Sequence, residues 1–222
     1  MGWLESLNAA ARKDPSKLSQ GERQKIAEDL VTFSSFGAAA ITYVPIPLSD
    51  FLLVTPVQAS MVMSVGRVYG RKLELAEAKE ILLELGAVCG VGLVAQKGFA
   101  TLSKIILPGL GGFLAGPYAF AVTYGLGQVA MRYFEKQDAT RESLASAFKD
   151  AVKKAKGLFS REKLEEFRRR QGQDIEAFAR AHADGRAPSR RRRPARRTAA
   201  KRPAKKQAAG KRPRSPSPRR RR

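Results

Sequence analysis

Ile105-Ile106-Leu107-Pro108-Gly109-Leu110-Gly111-Gly112-Phe113-Leu114-Ala115-Gly116-Pro117-Tyr118-Ala119-Phe120-Ala121-Val122-Thr123-Tyr124-Gly125-Leu126-Gly127-Gln128-Val129-Ala130-Met131 runs for 27 residues without a charged side chain. After Pro108 and the glycines up to Gly112 it reads as an apolar helix from about Phe113 to Phe134. Earlier in the chain, Asp50 is the sole charge between Leu30 and Gly66. A bilayer-spanning helix needs about 20 apolar residues, so both stretches are long enough to cross. Both are also long enough to be helices of a soluble bundle buried on all sides. Against full insertion stand Asp50, Gln58 and Gln128, each of which would need a partner in hydrocarbon. Asp50 as a helix cap, after Pro45 and Pro47, would suit a hairpin tip at a membrane interface. Both architectures are all-α, and no segment shows the two-residue alternation of a strand.

Helices extend on either side. Trp3, Leu4, Leu7 and Ala11 share one face of a short helix ended by Asp14-Pro15. Ser19-Gln20-Gly21-Glu22 has the form of a capping box, which predicts a helix from Gln20 into Ala38-Ala39-Ala40. Pro45 and Pro47 stop it, because proline has no N–H to donate. A helix from about Leu48 to Tyr69 follows, with Asp50 near its positive end and Gly70-Arg71-Lys72 as its stop. Leu75 to Leu102 is predicted as one further helix, charged first and glycine-rich later. Gly86…Gly90 and Gly112…Gly116 have the small-xxx-small spacing that lets helices pack closely. Two amphipathic helices are expected next. Leu144, Phe148 and Val152 mark one over Thr140–Lys156; Leu164, Phe167, Ile175 and Phe178 mark the other over Ser160–Ala183.

Tyr43-Val44-Pro45-Ile46-Pro47-Leu48-Ser49-Asp50, then Thr55-Pro56-Val57-Gln58-Ala59-Ser60-Met61, carry a family resemblance. Leu107-Pro108-Gly109-Leu110-Gly111-Gly112 and Ala121-Val122-Thr123-Tyr124-Gly125-Leu126-Gly127 follow in the same order. Over about residues 30–136 the chain resembles the YcjF-like domains, a domain-of-unknown-function family (DUF697). The resemblance implies a helical, often membrane-associated module that is frequently attached to a small GTPase domain. It supplies no catalytic residues. The sequence has no GTPase domain of its own: Gly210-Lys211 precedes arginine and forms no phosphate-binding loop. What the resemblance implies here is a separate GTPase as partner.

The formal net charge of +22 is concentrated at one end. Of 42 Lys and Arg, 18 fall in Arg186–Arg222, a stretch with no Asp or Glu, which leaves 24 bases against all 20 acids before it. That stretch holds Arg190, Arg191, Arg192, Arg193, Arg196, Arg197, Lys201, Arg202, Lys205, Lys206, Lys211, Arg212, Arg214, Arg219, Arg220, Arg221 and Arg222, spaced by Pro and Ala. Nothing in it can form a core, so it is expected to be disordered in isolation. Without Phe, Tyr or Trp it cannot stack on bases, and it would bind phosphate by counterion release without sequence preference. The rival partner is an anionic membrane surface, where each nearby base contributes about 1 kcal/mol. A third reading is a tail that only confers solubility. Phosphorylation of Ser215 and Ser217, each followed by proline, would remove up to about four units of local charge.

No catalytic constellation assembles. His182 lies near Asp184 without a nucleophile beside it, and reads as a cation at a helix C-terminus. Glu77, Glu80 and Glu84 alternate with Lys on a solvated helix face. Cys89, the one cysteine, lacks the spaced partners of a zinc site. The N-terminus shows no basic region followed by an apolar run, so it is not expected to be a secretory signal, though Met1-Gly2-Trp3-Leu4-Glu5-Ser6 fits the loose myristoylation pattern. No enzyme, metal or cofactor is expected.

The organisation expected from sequence is four-part. Residues 1–29 form an amphipathic helical segment, 30–136 the apolar domain, 137–185 amphipathic helices and 186–222 the basic tail. The expected function is that of a membrane-associated adaptor with a cytoplasmic C-terminus and a polyanion-binding tail, nucleic acid ahead of lipid. The alternative is a cytoplasmic helical bundle accessory to a GTPase or to RNA or DNA. Oligomerisation through glycine-lined helices is a third possibility.

Overall fold

A computed structural model describes residues 15–44, 49–91, 111–136 and 139–183. The described residues form six α-helices and one 3-10 turn, Pro15–Lys17, with no strand among them. We number the helices α1 (Gln20–Ile41), α2 (Ser49–Val68), α3 (Leu75–Val88), α4 (Gly111–Glu135), α5 (Arg141–Leu158) and α6 (Arg161–Ala183). The short helix expected over Trp3–Ala11, the prolines Pro45 and Pro47 and the whole basic tail lie outside the described residues.

Local chemistry accounts for the helix ends. At α1, the Glu22 amide donates to Ser19 Oγ (3.3 Å) and the Ser19 amide donates back to Glu22 Oε2 (2.9 Å), completing the expected capping box. The same helix ends in three successive i→i−3 bonds, from Thr42, Tyr43 and Val44, as the last turn tightens before the prolines. Gly70, at φ +83°, ends α2. The Arg71 amide reaches Gly66 O (2.8 Å) and the Gly70 amide reaches Arg67 O (3.0 Å), the two bonds of a Schellman stop. Thr140 caps α5 through the Ser143 amide (3.2 Å), and Ser160 caps α6 through the Lys163 amide (3.2 Å).

One predicted element is corrected. The helix expected over Leu75–Leu102 stops at Val88, with Cys89 as its cap and Gly90 at φ +72°. In that left-handed conformation the Gly90 amide returns to Ala87 O (3.1 Å) and the helix cannot continue. Gly90 therefore turns the chain instead of lining a helix face.

Helix α4 is the centre of the bundle, packed against α1, α2 and α5; α1 is covered in turn by α2 and α6. The second half of α1 is buried on every side, from Ser34 through Ile41. That is feasible because Gly37-Ala38-Ala39-Ala40 are small enough for neighbours to approach all round. Its two serines sit inside this core: Ser35 Oγ bonds to Val31 O (2.7 Å), while Ser34 Oγ has no hydrogen-bond partner. An aromatic cluster closes one side of the core. Phe36 lies 4.7 Å from Phe120 and 6.0 Å from Phe167, and Phe120 meets Phe159 at 5.4 Å in edge-to-face geometry.

Glycines set the spacing of α4. A Cβ on Gly127 would stand 2.6 Å from Val31 Cγ2 of α1, and one on Gly125 would stand 2.6 Å from the Phe148 ring of α5. Two residues apart on a helix point in nearly opposite directions, so Gly125 and Gly127 admit one neighbour on each side of α4. Gly66 likewise admits Leu73.

Candidate membrane-facing and polyanion-binding surfaces

Gln58 and Gln128 bear on whether the apolar helices need lipid. Gln58 is 8% exposed, and its Nε2 donates to Thr123 Oγ1 (3.0 Å) across the α2–α4 contact. The polar partner that this glutamine requires is supplied by the protein itself. Gln128 Nε2 is buried without a partner, beside a cleft of about 420 Å³ between α1, α4 and α5 that Arg132, Glu135 and Lys154 also line. Asp50 is the second residue of α2, as placed by the sequence, but its side chain lies outside the described residues. No helix among the described residues is long and apolar enough to cross a membrane. The described parts of the two charge-poor stretches pack against one another as helices of a bundle.

Of the four glycines singled out for helix packing, Gly116 makes a close approach within the chain: a Cβ there would stand 2.8 Å from Tyr43 Cε2. A Cβ on Gly86 would meet nothing within 4 Å, as would one on Gly90. Neither therefore packs against another described helix of this chain. Gly112 lies in the first turn of α4, and its surroundings are outside the described residues. The tail cations from Arg190 to Arg222 are likewise outside them. The chain divides into two units, Met1–Ser189 and Arg190–Arg222, close to the composition boundary at Arg186.

Three polar features were not singled out from sequence. In the first, Lys154 Nζ of α5 donates to Glu28 Oε1 of α1 (2.8 Å), and Tyr124 Oη of α4 donates to the same oxygen (3.3 Å). The Lys154 hydrogen bond holds the Glu28 carboxyl below its ordinary pKa, and the same bond holds Lys154 above its own. Glu28's contribution is present above its ordinary pKa of 4.5 and is lost as pH falls through the lower folded value. Lys154's contribution is present below 10.5 and is lost as pH rises through its higher folded value. The pair is half exposed, so its net effect is small, about 0.5 kcal/mol. Glu28→Gln is therefore expected to lower stability by about that amount across neutral pH and to soften the loss below pH 4.5. Urea melts of both proteins from pH 3 to 9 measure it; equal acid limbs would contradict the assignment.

The second feature is Tyr69. Its hydroxyl is buried without a hydrogen-bond partner, and burial, with Glu135 nearby, pushes its pKa up to about 12. Cys89, half-buried at the end of α3, is pushed up to about 11 by burial, so its thiol is overwhelmingly protonated at neutral pH. His182 lies in the last turn of α6, its Nδ1 2.9 Å from Phe178 O. Among the described residues no group of three or more His, Cys, Asp or Glu is placed to hold a metal ion.

The third feature lies at the end of the bundle where α1 stops and α4 begins. Tyr43 lies against Gly116, and the Arg168 guanidinium of α6 sits 4.8 Å above the Tyr43 ring. Two residues beyond Gly116, Tyr118 is 50% exposed, although Ala119 and Phe120 after it are buried.

The fold is thus that of an all-α bundle whose central helix is interlocked with its neighbours through glycines. The chain belongs to the family described as a domain of unknown function, DUF697, which it matches over residues 8–159. The match reaches beyond residues 30–136 at both ends and takes in α5. The chain is similar to Magnetosome membrane protein 22 of Magnetospirillum gryphiswaldense, with 25% identity over 169 residues, covering 72% of this chain and 84% of that protein. No solved structure matches the chain.

Proposed function

We propose that this protein is a non-enzymatic, membrane-associated adaptor whose basic C-terminal tail holds a polyanion, nucleic acid ahead of lipid. The observation that carries the reading is the division of labour in the sequence. A nearly neutral apolar bundle is followed by a stretch with 18 cations and no acid. The similarity to a protein named for its place in the magnetosome membrane supports the membrane part. The two long stretches poor in charge support it as well. Arg132, Lys136 and Arg141, followed by the tail, favour a cytoplasmic C-terminus by the positive-inside rule. As an unstructured chain, which its composition predicts, a tail of this length would reach roughly 35 Å from its anchor.

The closed core supports a second reading, because Gln58 and Thr123 satisfy each other without lipid. In that reading the bundle works as an accessory to a separate GTPase or to RNA or DNA. Fractionation of the full-length chain in the absence of detergent separates the two, since the adaptor sediments with membranes and the accessory does not.

A further inference from the structure

We infer that the outer face of α5 is a second polyanion contact, on which Lys149, Lys153 and Lys156 hold the phosphate backbone of a nucleic acid. This rests on the polyanion reading above and adds the folded bundle to a role so far given to the tail alone.

Among the described residues 20 bases stand against 16 acids, and α5 alone holds five of those bases against two acids, Glu142 and Asp150. The excess positive charge of the bundle is therefore largely a property of one helix. Lys149, Lys153 and Lys156 recur at the i, i+4 and i+7 spacing of a single helix face, and all three are exposed. On the other side Leu144, Ala151 and Ala155 are buried, and Phe148 and Val152 occupy the space left by Gly125 of α4. Packing thus fixes which side of α5 looks outward. The exposed residues of α5 are its charged ones together with Ser146 and Gly157. With its apolar side buried in the core, α5 has nothing to insert into a bilayer, and a contact made by charge alone suits a phosphate backbone.

No ion pair engages Lys149 or Lys156 among the described residues. Lys153 stands 4.0 Å from Asp150, but the two side chains are 79% and 72% exposed, and so solvated a pair holds its partners weakly. Lys154, by contrast, is held by Glu28 (2.8 Å) and is left out of the row. The three lysines span roughly 10 Å of helix at 1.5 Å per residue, which matches about three phosphates of one strand at 3.4 Å each. From Lys149 to Lys156 the one acid is Asp150. Of the other acids around α5, Glu142 lies two turns before Lys149, and Glu135 of α4 lines the adjoining cleft with Arg132 and Lys136, which outnumber it. Helix α3 and the turn before it carry Glu74, Glu77, Glu80 and Glu84 against Arg71, Lys72 and Lys79, and α3 touches α5 far less than α4 does. Helix α6 opens with Arg161 and Lys163 against Glu162, Glu165 and Glu166. Asp138 lies outside the described residues.

Binding of the full-length chain to a labelled DNA duplex, titrated over a range of salt, tests this. Lys149→Gln, Lys153→Gln and Lys156→Gln are made together, at exposed positions where the core is untouched. Each duplex contact steepens the salt dependence by about 0.9, so losing three should make the fall in affinity between 50 and 200 mM salt roughly 40-fold smaller than in the unsubstituted chain. A control with Lys25→Gln, Lys79→Gln and Lys163→Gln, exposed lysines of α1, α3 and α6, removes the same charge and is expected to keep the original salt dependence. Equal changes in the two variants, or no change in the first, overturn the α5 contact and leave the tail reading standing. Weakened binding to phosphatidylglycerol vesicles but not to duplex overturns the assignment to nucleic acid. Failure of the unsubstituted chain to bind duplex at all overturns this contact and the nucleic-acid reading of the tail together.

Discussion

Gly127→Leu is expected to destabilise the bundle by about 3 kcal/mol, the upper part of the range for overpacked cores. Even the first added carbon would stand 2.6 Å from Val31 Cγ2, closer than van der Waals contact allows. Val31 is fully buried and cannot swing into solvent. Relief requires α1 and α4 to separate, which opens the contact on which the rest of the core is built. Total stabilities of single domains are only about 5–15 kcal/mol, so a large fraction is at stake. Helix propensity argues the other way, since glycine is about 1 kcal/mol worse than alanine in a helix interior. Gly157 of α5 isolates that effect, because a Cβ there would meet nothing within 4 Å. Gly157→Ala is therefore expected to stabilise by about 0.5–1 kcal/mol. Chemical denaturation of the two variants gives shifts of opposite sign if α4 is seated as described; a neutral Gly127→Leu would contradict it.

Ending the chain at Gly185 should abolish tight binding to nucleic acid while leaving the bundle folded. The removed stretch contains 18 bases and no acid. If half of those charges meet phosphate, the affinity of the full chain falls roughly 10⁵-fold for duplex and roughly 10⁴-fold for single strands between 50 and 200 mM salt, because each contact releases condensed counterions. The truncated chain loses both the affinity and most of the salt slope. With no aromatic side chain in the tail to stack on bases, DNA and RNA of different sequence should bind alike. Titrations of labelled duplex and single strands over that salt range measure it. Equal affinity for the full and truncated chains would remove the tail from the proposed function.

Local signals in the sequence carried the helix ends well, because caps act over three or four residues. Ser19 with Glu22 formed the expected capping box and Gly70 with Arg71 the expected stop, while α5 begins beside Thr140, where the amphipathic pattern starts. The amphipathic faces of α5 and α6 were legible for the same reason: Leu144, Leu164, Ile175 and Phe178 recur at helical spacing and are buried. Gly90 shows where this kind of reading stops. A glycine within an apolar pattern fits a helix face and a left-handed turn equally, and its φ of +72° ended α3 well short of Leu102. Small-residue spacing was likewise ambiguous about direction. It drew attention to Gly86, which faces open space, while Gly125 and Gly127 hold the neighbours of α4 in place. Spacing records that small residues recur; which side meets a neighbour depends on packing between distant segments. Glu28 with Lys154, 126 residues apart, and Arg168 over Tyr43 belong to the same class, since nothing local links them. Charge in the tail needed no fold to be legible.

The bundle is proposed to be associated with a membrane although none of its described helices is long and apolar enough to cross one. Fractionation of cells producing the full-length chain tests it most directly when a high-salt wash is included. Salt of about 1 M shortens the screening length to about 3 Å and strips proteins held by charge alone. The expected result is that the protein sediments with membranes, stays there through the wash and is released by detergent. Recovery of the protein in the soluble fraction, monodisperse and without detergent, would contradict the account.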